Sequence, residues 1–218
     1  TIIEIPKINA LINSGNGPRW SVMIPAYNRF EFLEQTLRSV LNQDPGSEHM
    51  QIEVIDNCST VPGMERLVKE IGQGRVDYFR QPRNLGMVGN WNTCIERSRG
   101  QWVHILHDDD YIEQGYYKAM EEFIESHPES SMVFSRAIGV DENNEWTEIL
   151  FAPPTMKSSG IYHDALYELC VNCWIVCPSV VVKRSVYEQV GGFSPSYRSS
   201  QDWDMWLRIA HHGSIGVL

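Results

Sequence analysis

Basic residues are scarce in this chain. Lys and Arg total 18 against 28 Asp and Glu, a formal charge of −10 at pH 7, and the cations are spread along the sequence instead of clustered. Nucleic-acid recognition needs a concentrated cationic surface, so that class of partner is excluded. A bound phosphate would need a metal ion or local donors to balance it. Long apolar runs are missing as well: nothing approaches the roughly 18 consecutive apolar residues of a membrane span, although peripheral membrane contact stays compatible with this composition. The N-terminal T-I-I-E-I-P-K-I-N lacks the basic start and apolar core of a signal peptide. The five cysteines, at 58, 94, 170, 173 and 177, are odd in number and too sparse for a disulfide scaffold, which fits a reducing cytoplasm. Cys170, Cys173 and Cys177 have roughly helical spacing but no evident fourth ligand, and read as packed core thiols. No H-E-x-x-H, G-x-S-x-G, P-loop or G-x-G-x-x-G motif is present, which removes the zinc-peptidase, serine-hydrolase, P-loop and dinucleotide readings.

What is present is an alternation of apolar patterns. Residues 1–18 carry little periodicity and end in S-G-N-G-P, so they read as an arm leading into a domain over 19–218. Ser21 to Ile24 form a short apolar run, and Leu33, Leu37, Val40 and Leu41 then recur at helical spacing. Asn28 with Glu31 resembles a capping pair, placing the helix start just after P-A-Y-N-R. Strand and helix repeat through Ile52 to Ile55, 64–71, Val76 to Phe79, the Val88, Trp91, Ile95 face, and Trp102 to Leu106. This predicts an α/β fold with a doubly wound, Rossmann-like, mostly parallel sheet flanked by helices, whose ligands sit at the carboxyl ends of strands. Further on, 132–140 reads as one strand, Trp146 onward as another, and Val180 to Val182 as a third. This half is expected to be mixed. Trp203, Trp206, Leu207 and Ala210 mark a final helix, and Gly213 to Leu218 looks like the entrance to another strand, so the domain is expected to be cut short at its C-terminus.

Four features carry chemistry. His107-Asp108-Asp109-Asp110 closes an apolar strand; adjacent carboxylates repel and raise each other's pKa unless a cation lies between them, and an oxygen-rich set suits Mg²⁺ or Mn²⁺ bound together with substrate phosphates. A solvated acidic loop is the plain alternative. Asp56, at the end of a strand, could accept hydrogen bonds from a ribose or base, or cap the next helix. Asp202 falls in the first turn of the last helix, where the helix dipole favours an ionised carboxylate that can serve as a base; a helix cap would look the same. Between them, Arg83-Asn84-Leu85-Gly86 with Gly89, Asn90 and Asn92 makes a Gly- and Asn-rich helix entrance, either a close backbone approach to a ligand or a simple connection. Gly191-Gly192 suggests a flexible or tightly turned backbone beside Asp202.

In order, V-M-I-P-A-Y-N-R, V-I-D-N-C-S, R-N-L-G-M-V-G-N-W-N, I-L-H-D-D-D and G-G-F followed by Q-D-W-D-M-W-L-R resemble the family 2 inverting glycosyltransferases with the GT-A fold, over 20–212. The resemblance implies a nucleotide-diphospho-sugar donor linked to UDP, dTDP or GDP, a divalent Mn²⁺ or Mg²⁺, and single-displacement transfer with inversion. It implies that Pro25, Ala26, Tyr27 and Arg29 line the nucleotide pocket, that Asp56 holds the base, and that Asn84, Gly86 and Asn92 border the donor. Asp108 and Asp110 frame the D-x-D element, with Asp110 as the direct metal ligand and Asp108 or Asp109 on ribose or a metal-bound water. Aligned on the family's acidic pair instead, Asp109 and Asp110 are matched and His107 replaces an earlier Asp. Asp202 becomes the general base. Gln201 stands where a Glu is usual and, with Trp203, is placed on the acceptor side. Asn57 replaces a second Asp.

The resemblance further implies a saccharide or lipid-linked saccharide acceptor, surface polysaccharide synthesis, and action in the cytoplasm, including the inner face of the membrane. The acceptor side is expected to draw largely on 151–162. Two other readings compete. A non-catalytic nucleotide-sugar-binding module would have no chemical need for both the acidic cluster and Asp202. A sugar-phosphate nucleotidyltransferase would want a Gly-rich, multiply cationic loop after the first strand, where P-A-Y-N-R-F offers a single Arg.

Overall fold

The computed structural model describes residues 3–11, 17–150 and 158–218. Eight strands form one sheet. Its first half is parallel: β1 (Trp20–Ala26) lies between β2 (Met50–Asp56) and β4 (Trp102–Ile105), and β3 (Asp77–Arg80) extends the β2 edge. Beyond β4 the order continues through β9 (Val180–Lys183), β5 (Ser130–Phe134), β10 (Ser214–Val217) and β8 (Gly160–Ile161). β9 runs antiparallel to both β4 and β5, and β8 antiparallel to β10, so the second half is mixed as expected.

Alternation along the strands divides the core. Val22, Ile24 and Ala26 of β1 and Ile52 and Val54 of β2 pack under α1 (Leu33–Leu41), α2 (Met64–Gly72) and α4 (Tyr116–Ser126). On the other face Met23, Ile55, Val103 and Ile105 meet α3 (Gly86–Arg97), α5 (Ala165–Val171), α6 (Arg184–Val190) and α7 (Gln201–His212). The period of two puts successive side chains on opposite faces, and burial on both faces requires apolar residues at nearly every position. A charged exception in β2 is bonded: Glu53, 1% exposed, accepts from Arg97 Nε at 2.7 Å and from Gln51 Nε2 at 3.0 Å.

Three local expectations are corrected. α1 begins at Leu33 with no side-chain cap. Asn28 instead takes a left-handed backbone (φ 59°), which Asn tolerates, and its Oδ1 accepts from Thr60 N at 2.8 Å and Val61 N at 3.2 Å, tying the loop after β1 to the loop after β2. The run 132–140 is two strands. After Phe134 the Ser135 amide donates to Ser179 O, and β6 (Ala137–Val140) leaves the main sheet to pair with β7 (Trp146–Leu150) as a separate hairpin. The three late cysteines are not all core thiols: Cys170 is exposed, Cys173 is half-buried against the core, and only Cys177 lies in it.

Residues 3–11 lie against α6 and the segment that follows it. Ile8 is 1% exposed, Gly192 N donates to Pro6 O at 2.8 Å, and Arg184 Nη2 to Asn9 O at 3.1 Å. Close packing requires the Gly191-Gly192 pair, against residues 3–11 at Gly191 and against α3 at Gly192. A Cβ at Gly191 (φ +84°) would fall 2.5 Å from Ile5 Cγ2, and one at Gly192 2.5 Å from Asn92 Oδ1.

Candidate active site

From β1 the chain moves outward through β2 and β3, then returns to place β4 on the opposite side of β1. The strand order therefore reverses between β1 and β4, and a crevice opens at their carboxyl ends. A cleft of about 480 Å³ lies there, lined by Pro25, Ala26, Tyr27 and Arg29 from β1 and its loop, and by His107, Asp108 and Asp109 after β4. Asn57, Asn84, Gly86, Met87, Asn90 and Trp91 form its remaining wall.

Backbone bonds set the acidic loop. Leu106 N donates to Met23 O at 3.1 Å, Thr36 Oγ1 of α1 donates to Asp110 O at 2.7 Å, and Asp110 N closes a turn onto His107 O at 3.2 Å. The three carboxylates consequently differ. Asp108 is buried and accepts from Tyr27 N at 3.0 Å; burial holds its pKa above the usual carboxylate range, partly offset by that amide and by Arg29. Asp109 is paired with Arg29. Asp110 Oδ2 lies 3.4 Å from His107 Nδ1. Burial works against a charge on His107, but Asp110 and the Cys177 sulfur outweigh it and the imidazolium persists up to about 10. His107, Asp109 and Asp110 offer ligand atoms that all lie within 4.8 Å of one another. One nitrogen and two carboxylates at this separation fit a divalent ion that completes its shell with water and phosphate.

Several predicted residues lie elsewhere or are already occupied. Asp56 is fully buried: Ser59 N and Oγ donate to Oδ1 at 2.8 and 2.6 Å, and Tyr78 OH and Arg80 Nη1 to Oδ2 at 2.6 and 2.5 Å. Burial raises its pKa, but these donors more than reverse that and leave it below the usual value. The carboxylate does not line the cleft, because the turn it stabilises encloses it; its neighbour Asn57 takes the cleft position. Asn57 fastens the Asn-rich segment, accepting from Leu85 N at 2.8 Å and donating to Asn84 Oδ1 at 3.1 Å and Gly86 O at 3.2 Å.

Asn92 does not border the cleft either. Its amide donates to Phe193 O at 2.9 Å and accepts from Phe193 N at 2.7 Å, clamping α3 to the Gly-Gly-Phe segment. Asn92→Ala would leave both buried Phe193 groups unpaired and is expected to cost roughly 2–4 kcal/mol. A lower urea midpoint at unchanged slope is the measurement; an unchanged midpoint would mean that water replaces the amide.

At the start of α7 the two acids part. Asp204 is committed to Arg208, 2.9 Å away, whose guanidinium also donates to Val190 O and Gly192 O. Asp202 is half-buried, accepts only from its neighbour Trp203 N at 2.9 Å, and has no other hydrogen-bond donor among the described residues. The two residues expected on the acceptor side are engaged internally. Gln201 is buried and donates to Tyr197 O at 2.9 Å, and Trp203 Nε1 donates to Leu169 O at 2.6 Å. Of the segment expected to form the acceptor side, 151–157 lies outside the described residues.

Asn57, Met87 and Trp91 are cleft residues that sequence reasoning missed as lining, and Asn90, noted there only as part of the Gly- and Asn-rich helix entrance, joins them. Asn90 and Trp91 stand one helical turn past Gly86, so the helix period beginning at that Gly was the available signal. Asn57 was noted only for replacing an Asp.

A Rossmann-like half sheet joined to a mixed half, with an acidic turn at the crossover, defines a GT-A fold. Residues 21–191 match the model of Glycosyl transferase family 2, and the chain belongs to that family. TuaG of Bacillus subtilis, a glycosyltransferase assigned to teichuronic acid biosynthesis, is 28% identical over 202 residues, 90% of this chain and 73% of that protein. An uncharacterized glycosyltransferase of Rickettsia bellii is 26% identical over 199 residues, again 90% of this chain but only 27% of that protein. The crystal structure of S. aureus TarS 1-349 superposes with a TM-score of 0.73 at 20% identity, covering 92% of this chain and 58% of that one. Among the described residues no helix is long and apolar enough to cross a membrane.

Proposed function

We propose that this chain transfers a sugar from a nucleoside diphosphate donor to an acceptor hydroxyl with inversion at the anomeric carbon, in the synthesis of a surface polysaccharide or glycoconjugate. The observation that carries this reading is the cleft at the β1/β4 crossover, whose lining includes His107 and Asp109 of the candidate metal cluster, with the third member, Asp110, lining the adjoining cavity that Asp109 also borders. In this reading Tyr27 packs on the base, and Asn84 and the Gly86 backbone border the donor. Arg29 exchanges Asp109 for a phosphate oxygen. Asp110, Asp109 and His107 would hold Mn²⁺ or Mg²⁺, which when bound neutralises the charge developing on the departing diphosphate. Asp202 accepts the proton of the attacking hydroxyl.

UDP is the favoured nucleotide, because TarS, with the same fold, is described in complex with UDP and with UDP-GlcNAc. The likeness to TuaG supports an anionic cell-surface polysaccharide as the product. Five free thiols support action in a reducing cytoplasm, at the inner membrane face where the acceptor is lipid-linked. Calorimetric titration of the chain with UDP, dTDP and GDP, each with and without Mn²⁺, tests the donor site. Metal-dependent binding of one nucleotide is the expected result, and a folded chain that binds none would sink the assignment.

A further inference from the structure

We infer that His107 is a cation ligand through Nδ1, held in that pose by Trp91, and that it makes the site prefer first-row transition ions such as Mn²⁺ or Co²⁺ over Mg²⁺. This rests on the donor-site reading and adds to it which ion the chain selects.

The geometry points one ring nitrogen at the cluster and the other away from it. Nδ1 faces Asp110 Oδ2 at 3.4 Å, whereas Nε2 is buried, makes no hydrogen bond of normal geometry, and has the Cys177 thiol as a neighbour. A cation bound at Nδ1 would displace to solvent the proton that the ring otherwise shares with Asp110, and the proton left on Nε2 would be directed into the protein, towards a weak sulfur acceptor. The ring is not free to turn. It stacks on Trp91 with centroids 5.3 Å apart and planes 8° apart, and Trp91 is in turn met edge-on by Phe193 at 5.0 Å, the residue that Asn92 clamps. Trp91 therefore acts as a positioning residue for His107.

The chemistry follows from the donor atoms. Mg²⁺ favours all-oxygen octahedral shells and sheds water reluctantly, whereas first-row transition ions accept imidazole readily. Two carboxylates alone would leave Mg²⁺ and Mn²⁺ nearly equivalent partners; one imidazole among three ligands separates them. No other imidazole could supply the nitrogen from this region: the ring nitrogens of His104 are engaged by Tyr117 OH at 2.9 Å and Pro178 O at 2.8 Å.

The test is spectroscopic and needs no turnover. Mn²⁺ bound to the chain in the presence of the nucleotide that binds should show ¹⁴N modulation from a coordinated imidazole in pulsed electron paramagnetic resonance. His107→Asp should abolish it while retaining Mn²⁺, and should narrow the wild-type preference for Mn²⁺ over Mg²⁺ by roughly tenfold or more. Trp91→Leu should weaken both the modulation and Mn²⁺ affinity, with Trp91→Phe restoring them. Wild-type Mn²⁺ binding without ¹⁴N modulation overturns the inference and leaves the donor site standing; absence of any Mn²⁺ binding to the folded chain overturns both. Because the decisive spectrum is recorded on the wild type, a variant that fails to fold does not remove the test.

Discussion

Asp202→Asn is expected to lower the rate of sugar transfer by roughly 10²–10⁴-fold, the usual contribution of a positioned general base, with nucleotide affinity unchanged. The reason lies in how the first turn of α7 is occupied. Asp204 is neutralised by Arg208 and cannot take a proton without breaking a bridge that also braces Val190 and Gly192. Asp202 has one oxygen on Trp203 N and no second donor among the described residues, so under the proposed mechanism it is the acid of this turn left to take a proton. Asn keeps the shape and the Trp203 contact but lacks the basicity, which separates chemistry from folding. Steady-state transfer rates alongside nucleotide titrations check this. Transfer retained within a few-fold would move the base elsewhere, and loss of nucleotide binding would reassign Asp202 to structure.

Asp110→Ala is expected to weaken metal-dependent nucleotide binding by at least 100-fold, about 3 kcal/mol, the scale for deleting one partner of a close charged contact. Asp110 is the ligand candidate with the fewest commitments. Asp108 is buried on the Tyr27 amide and Asp109 is paired with Arg29, whereas among the described residues Asp110 meets only His107 through its side chain, and its backbone is pinned by Thr36. Removing the carboxylate should therefore leave the turn in place. Calorimetry with Mn²⁺ and the nucleotide that binds wild type measures the effect; undiminished affinity would transfer the ligand role to Asp109 and His107.

Much of this site was legible before the fold. The strand-ending positions of Asp56 and His107 to Asp110, and the helix-first-turn position of Asp202, follow from hydrophobic period alone, because the period marks where strands stop and helices start. Which way each side chain turns at those ends was not legible. Asp56 and Asn57 are adjacent, yet one is enclosed by Ser59, Tyr78 and Arg80 and the other reaches the cleft. Asn92 and Trp91 divide in the same way between a structural clamp and a cleft wall.

By itself, then, the sequence determined the alternation of strands and helices in the parallel half and the acidic turn at a strand's carboxyl end, since these depend on local period, whereas the strand order and the crossover between β1 and β4 came with the fold. Tertiary structure alone decided which acids are free. Availability depends on donors brought from distant segments: Tyr27 to Asp108 across 81 residues, Arg80 to Asp56 across 24, and Trp91 beneath His107. Such a donor carries no periodic signal, because its role arises only when the chain has folded and the two segments share a surface.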